Sequence, residues 1–237
     1  MADKQPKVLI VLTSHDKLGD TGKSTGWYLP ELAHPHDVFT KANLSLTLAS
    51  PQGGPAPLDP ASVEAFSKDP ISTTFLSKHK SLWESTQPVE SFLGRADEYD
   101  AIFYPGGHGP MFDLAGHAAS QALAQEFAAK GKVVAAVCHG PAALVGVKAP
   151  DGKELYLNGK KVTGFSNAEE AEVGLDKTVP FLLEDRMVEA VGKEGKFEKA
   201  AEKWGEKVVV DGKLITGQNP ASAKGVAEAI VKAISSA

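Results

Sequence analysis

The chain has one cysteine, Cys138, and it stands where an apolar run gives way to His, Gly and Pro, in Lys132-Val133-Val134-Ala135-Ala136-Val137-Cys138-His139-Gly140-Pro141-Ala142-Ala143-Leu144. The five apolar residues Val133 to Val137 show no polar alternation and read as a strand buried on both faces. The alanine-rich run after Pro141 reads as a helix. A thiol at a strand-to-helix turn, with small residues two positions to either side, has the pattern of a nucleophile elbow, Ala136-Val137-Cys138-His139-Gly140 standing for Gly-x-Ser-x-Gly. Backbone N–H groups at a helix start lack intrahelical partners. With the helix dipole they favour Cys138 as a thiolate and can hold a developing oxyanion. The chemistry expected is nucleophilic addition to a carbonyl, weighed against a cysteine that merely fills the core.

A thiol nucleophile needs a base and the base needs a carboxylate to fix its tautomer. His139 is the candidate base. Neighbours in a regular helix do not face one another, so its use requires an irregular turn. Spacing leaves Glu31, Glu169, Glu170 and Glu172 open as its partner. A second loop, Pro105-Gly106-Gly107-His108-Gly109-Pro110, closes the strand Tyr99 to Tyr104. In an open α/β sheet such loops meet beyond the carboxyl ends of the strands. The N–H groups of Gly107 and His139 would then form an oxyanion hole, each donor contributing about 3–4 kcal/mol in acyl chemistry. His108 is a further substrate-binding candidate, and the plain alternative is that these glycines only permit a tight turn. His15, His34, His36, His108, His117 and His139 are numerous, and His34-x-His36 could chelate, but the usual ligand spacing is absent and no metal is expected. Gly22-Lys23-Ser24 lacks the glycine five residues earlier that a phosphate-binding loop needs, leaving a long, polar, flexible loop.

The elements that must place these groups alternate along the chain. Strands are expected at Lys7 to Thr13, Leu44 to Ala49, Tyr99 to Tyr104 and Val133 to Val137. Helices are expected from Pro30, bent or broken near Pro35, over His117 to Lys130 with Gly131 as its stop, over Val179 to Val191, and over Ala221 to Ile234. Asn158-Gly159 and Asp211-Gly212 signal hairpins, and Ser166 or Asn167 signals a helix cap. Leu58 to Glu98 carries short helical fragments around 63–68, 74–83 and 89–93, punctuated by Pro60, Pro70 and Pro88. The pattern is that of one α/β domain over 1–237, a flavodoxin-like three-layer sandwich on a mostly parallel sheet, with 58–98 as a helical cover insertion. The 237 residues suffice for a sizeable core. A net charge of −5 without a Lys/Arg block argues against nucleic acid. The polar start and the absence of an apolar run near ~18 residues argue against a secretory signal or a membrane span. A lone thiol suits a reducing cytoplasm.

Together the Ala-Val-Cys-His-Gly-Pro stretch, the 105–110 loop and Glu31-Leu32-Ala33-His34-Pro35 resemble the PfpI-like (class I glutamine amidotransferase-like) superfamily. Within it they are most similar to the branch of glutathione-independent glyoxalases (glyoxalase III) and heat-shock chaperones. Thr163-Gly164-Phe165-Ser166 and Thr216-Gly217-Gln218-Asn219-Pro220-Ala221-Ser222-Ala223 extend the likeness over nearly the whole chain. The resemblance implies Cys138 as nucleophile, His139 as base, and Glu31 as a protonated carboxyl against the thiol. Glu170 would orient the histidine, with Glu169 one residue away as the alternative. It further implies conversion of methylglyoxal and similar 2-oxoaldehydes to 2-hydroxy acids such as lactate, without glutathione, cofactor or metal, in a homodimer. Two rivals accompany it: a stress-inducible holdase for misfolded client proteins, or a redox sensor with Cys138 oxidised to sulfinate; and a Cys-dependent deglycase, amidohydrolase or peptidase.

Overall fold

The computed structural model describes residues 5–236; Met1 to Lys4 of the polar amino-terminal stretch lie outside them. Seven strands form one sheet: β1 (Lys7–Val11), β2 (Ser45–Ser50), β3 (Gln87–Pro88), β4 (Ala101–Tyr104), β5 (Val133–Val137), β8 (Val208–Asp211) and β9 (Leu214–Gly217), in the order β3-β2-β1-β4-β5-β9-β8. All neighbours are parallel except β8, which runs antiparallel to β9. Every residue of β4 and β5 is buried, as unbroken apolar runs require in a sheet covered on both faces. β6 (Lys161–Val162) and β7 (Lys196–Phe197) form a separate parallel pair.

Helices α1 (Leu29–Lys41), α2 (Pro60–Ala65), α3 (Pro70–Lys78), α4 (Ser81–Glu84), α5 (Gly109–Phe112), α6 (Ala118–Ala129), α7 (Asn167–Glu172), α8 (Leu183–Val191) and α9 (Ala223–Ser235) fill the connections. α1 follows β1 and packs along α9, while α6 links β4 to β5. Right-handed crossovers leading in opposite directions from the centre put α1 and α6 on opposite faces. This is the expected α/β sandwich with a mostly parallel sheet.

Several local expectations are corrected. α1 runs through Pro35 rather than breaking there; the lost N–H bond is tolerated because α9 and α3 pack along the helix. Pro60 and Pro70 do not separate helical fragments but open them, each in the first turn behind an aspartate cap, Asp59 or Asp69. Asn158-Gly159 makes a turn without a hairpin, since β6 pairs with β7 and the preceding Tyr156 and Leu157 are drawn into the core. The 179–191 helix begins only at Leu183. After the elbow there is a 3₁₀ turn, Gly140–Leu144, in place of an α-helix. The Asp211-Gly212 hairpin forms, and Ser166 caps α7 in a reciprocal box with Glu169.

The 58–98 segment props the start of α1. Phe75 and Trp83 pack against Trp27 with ring centroids 6.4 and 5.3 Å away. Ser62 Oγ accepts the N–H of Leu29 at 3.0 Å. The same segment also supplies β3 to the sheet edge. The polar 18–26 loop is tied by a bridge between Lys17 and Ser24 and by the Leu18 N–H to Lys23 O at 2.9 Å.

Packing is tightest where β4 and β5 end. A Cβ on Gly140 would lie 2.1 Å from the carbonyl oxygen of Tyr104. Gly140→Ala is therefore expected to lower stability by about 1–3 kcal/mol or prevent folding. Gly116→Ala, where an added Cβ meets nothing within 4 Å, is expected to stay within about 0.5 kcal/mol. Denaturant midpoints of the two variants check the contrast.

Candidate active site

Cys138 follows the last residue of β5 with φ at 60°, a left-handed conformation that a side chain disfavours. The turn is fixed on both sides: its N–H donates to Gly217 O at 3.0 Å, and its carbonyl accepts the N–H of Phe165 at 2.9 Å. The strained turn makes adjacent residues face each other, as a regular helix would not. His139 Nδ1 stands 3.4 Å from Cys138 Sγ. On its other side His139 Nε2 meets Glu170 Oε2 at 2.6 Å, and His108 Nε2 meets Glu170 Oε1 at 2.8 Å. A carboxylate only accepts, so both imidazoles donate from Nε2 and the Nδ1 lone pair of His139 faces the thiol.

The charges follow from burial and partners. Burial, then the charge of His108, lower the pKa of His139 from 6.5 in spite of Glu170, so its resting form is neutral at pH 7. Burial would raise Glu170, but His139 and His108 hold it well below the ordinary carboxylate range. Glu31, fully buried in the first turn of α1, accepts the N–H of Gly106 on Oε2 at 2.7 Å. Its Oε1 has no hydrogen-bond partner, and the carboxyl interacts with the sulfur. Burial pushes Glu31 up to about 8, so it carries a proton at pH 7.

Burial first, and Glu31 second, push the Cys138 thiol well above its ordinary value, against the N–H groups of Gly107 and His139, which pull it down. Glu31 acts through repulsion from its ionised form and through the hydrogen bond that form accepts from the thiol, and both are lost while the carboxyl is protonated. The expectation of a thiolate stabilised by a helix dipole is corrected accordingly. The following 3₁₀ turn is too short to supply much dipole and burial opposes the charge, so the two N–H groups and a neutral Glu31 are what favour the anion.

The β4 loop brings its N–H groups to the sulfur because glycines let it approach. A Cβ on Gly106 would lie 2.6 Å from His139 N, and one on Gly107, whose φ is 90°, would lie 2.2 Å from Gly26 O. Above the sulfur lies a cavity of about 60 Å³ lined by Gly107, His108, Cys138, His139 and the side chains of Tyr28, Phe165, Val173, Trp204 and Pro220. No residue of 58–98 reaches it; Phe66 borders a larger hollow of about 460 Å³ outside.

Glu31, Gly107, His108, Cys138, His139 and Glu170 converge here, whereas Glu169, Glu172, His34 and His36 do not, nor do His15, which stacks on Phe112, and His117, which accepts the Ser120 N–H. Glu169 turns away from His139 to Ser166, Gln218 and Asn219, and Glu172 to Trp204 and Lys203. His34 bonds Asp69 at 2.8 Å, while His36 packs on Phe75 and His79, so the pair does not chelate. His108, His139 and Glu170 have ligand atoms within 4.8 Å of one another, but holding an ion would cost both imidazole-to-carboxylate bonds. Sequence reasoning missed Tyr28, Val173 and Trp204. Phe165 and Pro220 lay within motifs already noted without being assigned to the cavity.

A raised carboxyl pKa has a signature in stability. Between about 4.5, the ordinary value, and 8 the folded protein keeps a proton on Glu31 that the unfolded chain has lost. Stability therefore falls as pH rises through that window, in total by on the order of 5 kcal/mol. Glu31→Gln cannot ionise and still accepts from Gly106, so its stability relative to wild type should rise from pH 4.5 to pH 8. Denaturant midpoints measured at both ends check this, and an unchanged difference would count against a neutral Glu31.

A family profile described as the DJ-1/PfpI family matches residues 26–233. The glutathione-independent glyoxalase HSP31 of Saccharomyces cerevisiae is 32% identical, the match covering 96% of this chain and 98% of that protein. Among solved structures, Rapid Encystment Protein 24 KDa of Francisella tularensis is 39% identical with a TM-score of 0.89, covering 97% of this chain and 99% of its own. Glyoxalase III of Candida albicans is 31% identical with a TM-score of 0.84, covering 96% and 97%. With the profile spanning most of its length and curated relatives alike from end to end, the chain belongs to the DJ-1/PfpI family.

Proposed function

We propose that the protein is a glutathione-independent glyoxalase that converts methylglyoxal and similar short 2-oxoaldehydes to 2-hydroxy acids. The observation that carries this reading is a continuous relay, Cys138 Sγ to His139 Nδ1 at 3.4 Å and His139 Nε2 to Glu170 Oε2 at 2.6 Å, under a small cavity. Relatives named as glutathione-independent glyoxalases support it. A cavity of about 60 Å³ suits a three-carbon dicarbonyl and excludes a peptide.

The sulfur adds to the aldehyde carbon as His139 Nδ1 takes the thiol proton. Only the sulfur anion adds efficiently, so loss of that proton and attack go together. The carbonyl oxygen, held by the N–H groups of Gly107 and His139, takes that proton back from His139 and becomes the hydroxyl of a hemithioacetal, leaving the imidazole neutral. His139 then removes the hydrogen from that carbon, giving an enediolate, and returns the proton to the neighbouring carbon while the hydroxyl proton passes to the former ketone oxygen. The aldehyde carbon is thereby oxidised to a thioester while the ketone carbon is reduced to an alcohol, so no external electron carrier is needed. Water hydrolyses the thioester to the 2-hydroxy acid and restores the thiol. Glu170 stabilises the imidazolium at each proton transfer, and Glu31 holds a proton against the sulfur. In this reading the reaction is a lyase-type D-lactate dehydratase reaction run without a cofactor.

The test is lactate production from methylglyoxal with no glutathione present. Cys138→Ala should lose activity by about 10³-fold or more, and Glu170→Gln by roughly 10²-fold to 10⁴-fold in kcat. Turnover surviving in Cys138→Ala would end this reading. Because His139 must be neutral to act and its pKa is lowered from 6.5, the acid limb of the kcat/KM profile should fall below pH 6.5.

A further inference from the structure

Two cavity residues hold backbone conformations that their side chains disfavour. Among the described residues the non-glycine residues with positive φ are Asn43 at 58°, Cys138 at 60° and Trp204 at 60°. Asparagine tolerates that region; a tryptophan does so only where its surroundings impose it, and such strain gathers at functional sites. The elbow accounts for Cys138. Nothing in the relay accounts for Trp204.

What imposes the conformation is α7. The backbone N–H of Trp204 donates to Glu169 Oε1 at 3.2 Å, and its indole Nε1–H donates to Glu172 Oε1 at 2.9 Å. Glu169 is fully buried, and its two oxygens also accept from Gln218 Nε2 at 3.0 Å, Asn219 Nδ2 at 2.8 Å, and Ser166 N and Oγ at 3.0 and 2.6 Å. The next residue, Glu170, holds His139. One short helix therefore sets both the base and the tryptophan. The indole stands edge-on to Phe165 with centroids 5.6 Å apart, and Phe165 lies 4.3 Å from the ring of His139.

Trp204, Tyr28 and Pro220 line both the cavity of about 60 Å³ over Cys138 and the outer hollow of about 460 Å³. They are the partition between the two spaces. Tyr28 is anchored at the start of α1 and Pro220 between β9 and α9. Trp204 sits on the irregular stretch between β7 and β8, is 38% exposed, and is held mainly by hydrogen bonds. It is the wall most easily moved.

We infer that Trp204, fixed by Glu169 and Glu172, is a specificity-determining residue that admits short-chain 2-oxoaldehydes to Cys138 and keeps aryl-substituted ones in the outer hollow. This rests on the glyoxalase reading for its substrates but not for its geometry, which a thiol reagent can probe independently. In the wild-type protein kcat/KM for methylglyoxal should exceed that for phenylglyoxal. In W204A the phenylglyoxal-to-methylglyoxal ratio should rise at least tenfold. In E172A, which frees the indole from an exposed tether, it should rise about threefold, and W204F should fall between wild type and W204A. In parallel, the rate of Cys138 alkylation by N-phenylmaleimide relative to maleimide should rise at least tenfold in W204A. Cys138 is the chain's only thiol, so the signal is unambiguous. Both ratios within twofold of wild type in a W204A protein that keeps its thermal transition would overturn the inference. If W204A does not fold, E172A and W204F decide by the same ratios. Failure of wild type to turn over methylglyoxal, with the maleimide ratio still shifting, would overturn the glyoxalase reading and leave the partition standing.

Discussion

Backbone pressed against backbone, where the loop after β4 meets the turn after β5, is the constraint on which the site depends. Gly106 and Gly140 leave no room for a Cβ between these segments. That contact brings the N–H groups of Gly107 and His139 to one sulfur, and the Gly106 N–H to one oxygen of Glu31. Three donors from two loops thus arrive without any side chain having to reach. Donors held by the sheet do not reorganise when charge develops, which is the condition for electrostatic catalysis.

Around that contact the acidic groups divide their tasks by environment. Glu170 stays charged because two imidazoles face it, whereas Glu31 stays neutral because burial outweighs its hydrogen bonds with the Cys138 thiol and the Gly106 N–H. Glu169, adjacent in sequence to Glu170, spends both oxygens on neutral donors from three segments of chain. Neighbouring glutamates at the start of one helix point to different sides, so one serves the imidazole and the other the framework. The same spacing sends Glu172 to the surface, where it meets Trp204 and Lys203.

Much of this was legible before any coordinates. Unbroken apolar runs identified β1, β4 and β5, and the change from Val137 to Cys138-His139-Gly140 located the elbow, because a buried strand and a tight turn each demand particular residues. The carboxylate partner of His139 was not legible from spacing. Choosing Glu170 over Glu169 depends on which direction α7 faces after Ser166 caps it, and the resemblance rather than any local pattern favoured Glu170. Pro35 and Asn158-Gly159 misled because tertiary packing overrode local preference in both places. Trp204 gave no signal: its residue type marks neither a turn nor a periodic face, and its place over the cavity comes from hydrogen bonds to residues more than thirty positions away.

The margins of the main sheet carry a consequence for how copies of this protein meet. β3 ends in Pro88, a residue without an N–H to offer a further strand. At the opposite margin β6 lies against β8, and the N–H of Lys161 is spent on the Asp211 carboxylate at 2.8 Å. Such borders are poor templates for edge-to-edge polymerisation. A strand-templated fibre would first require one of these borders to open.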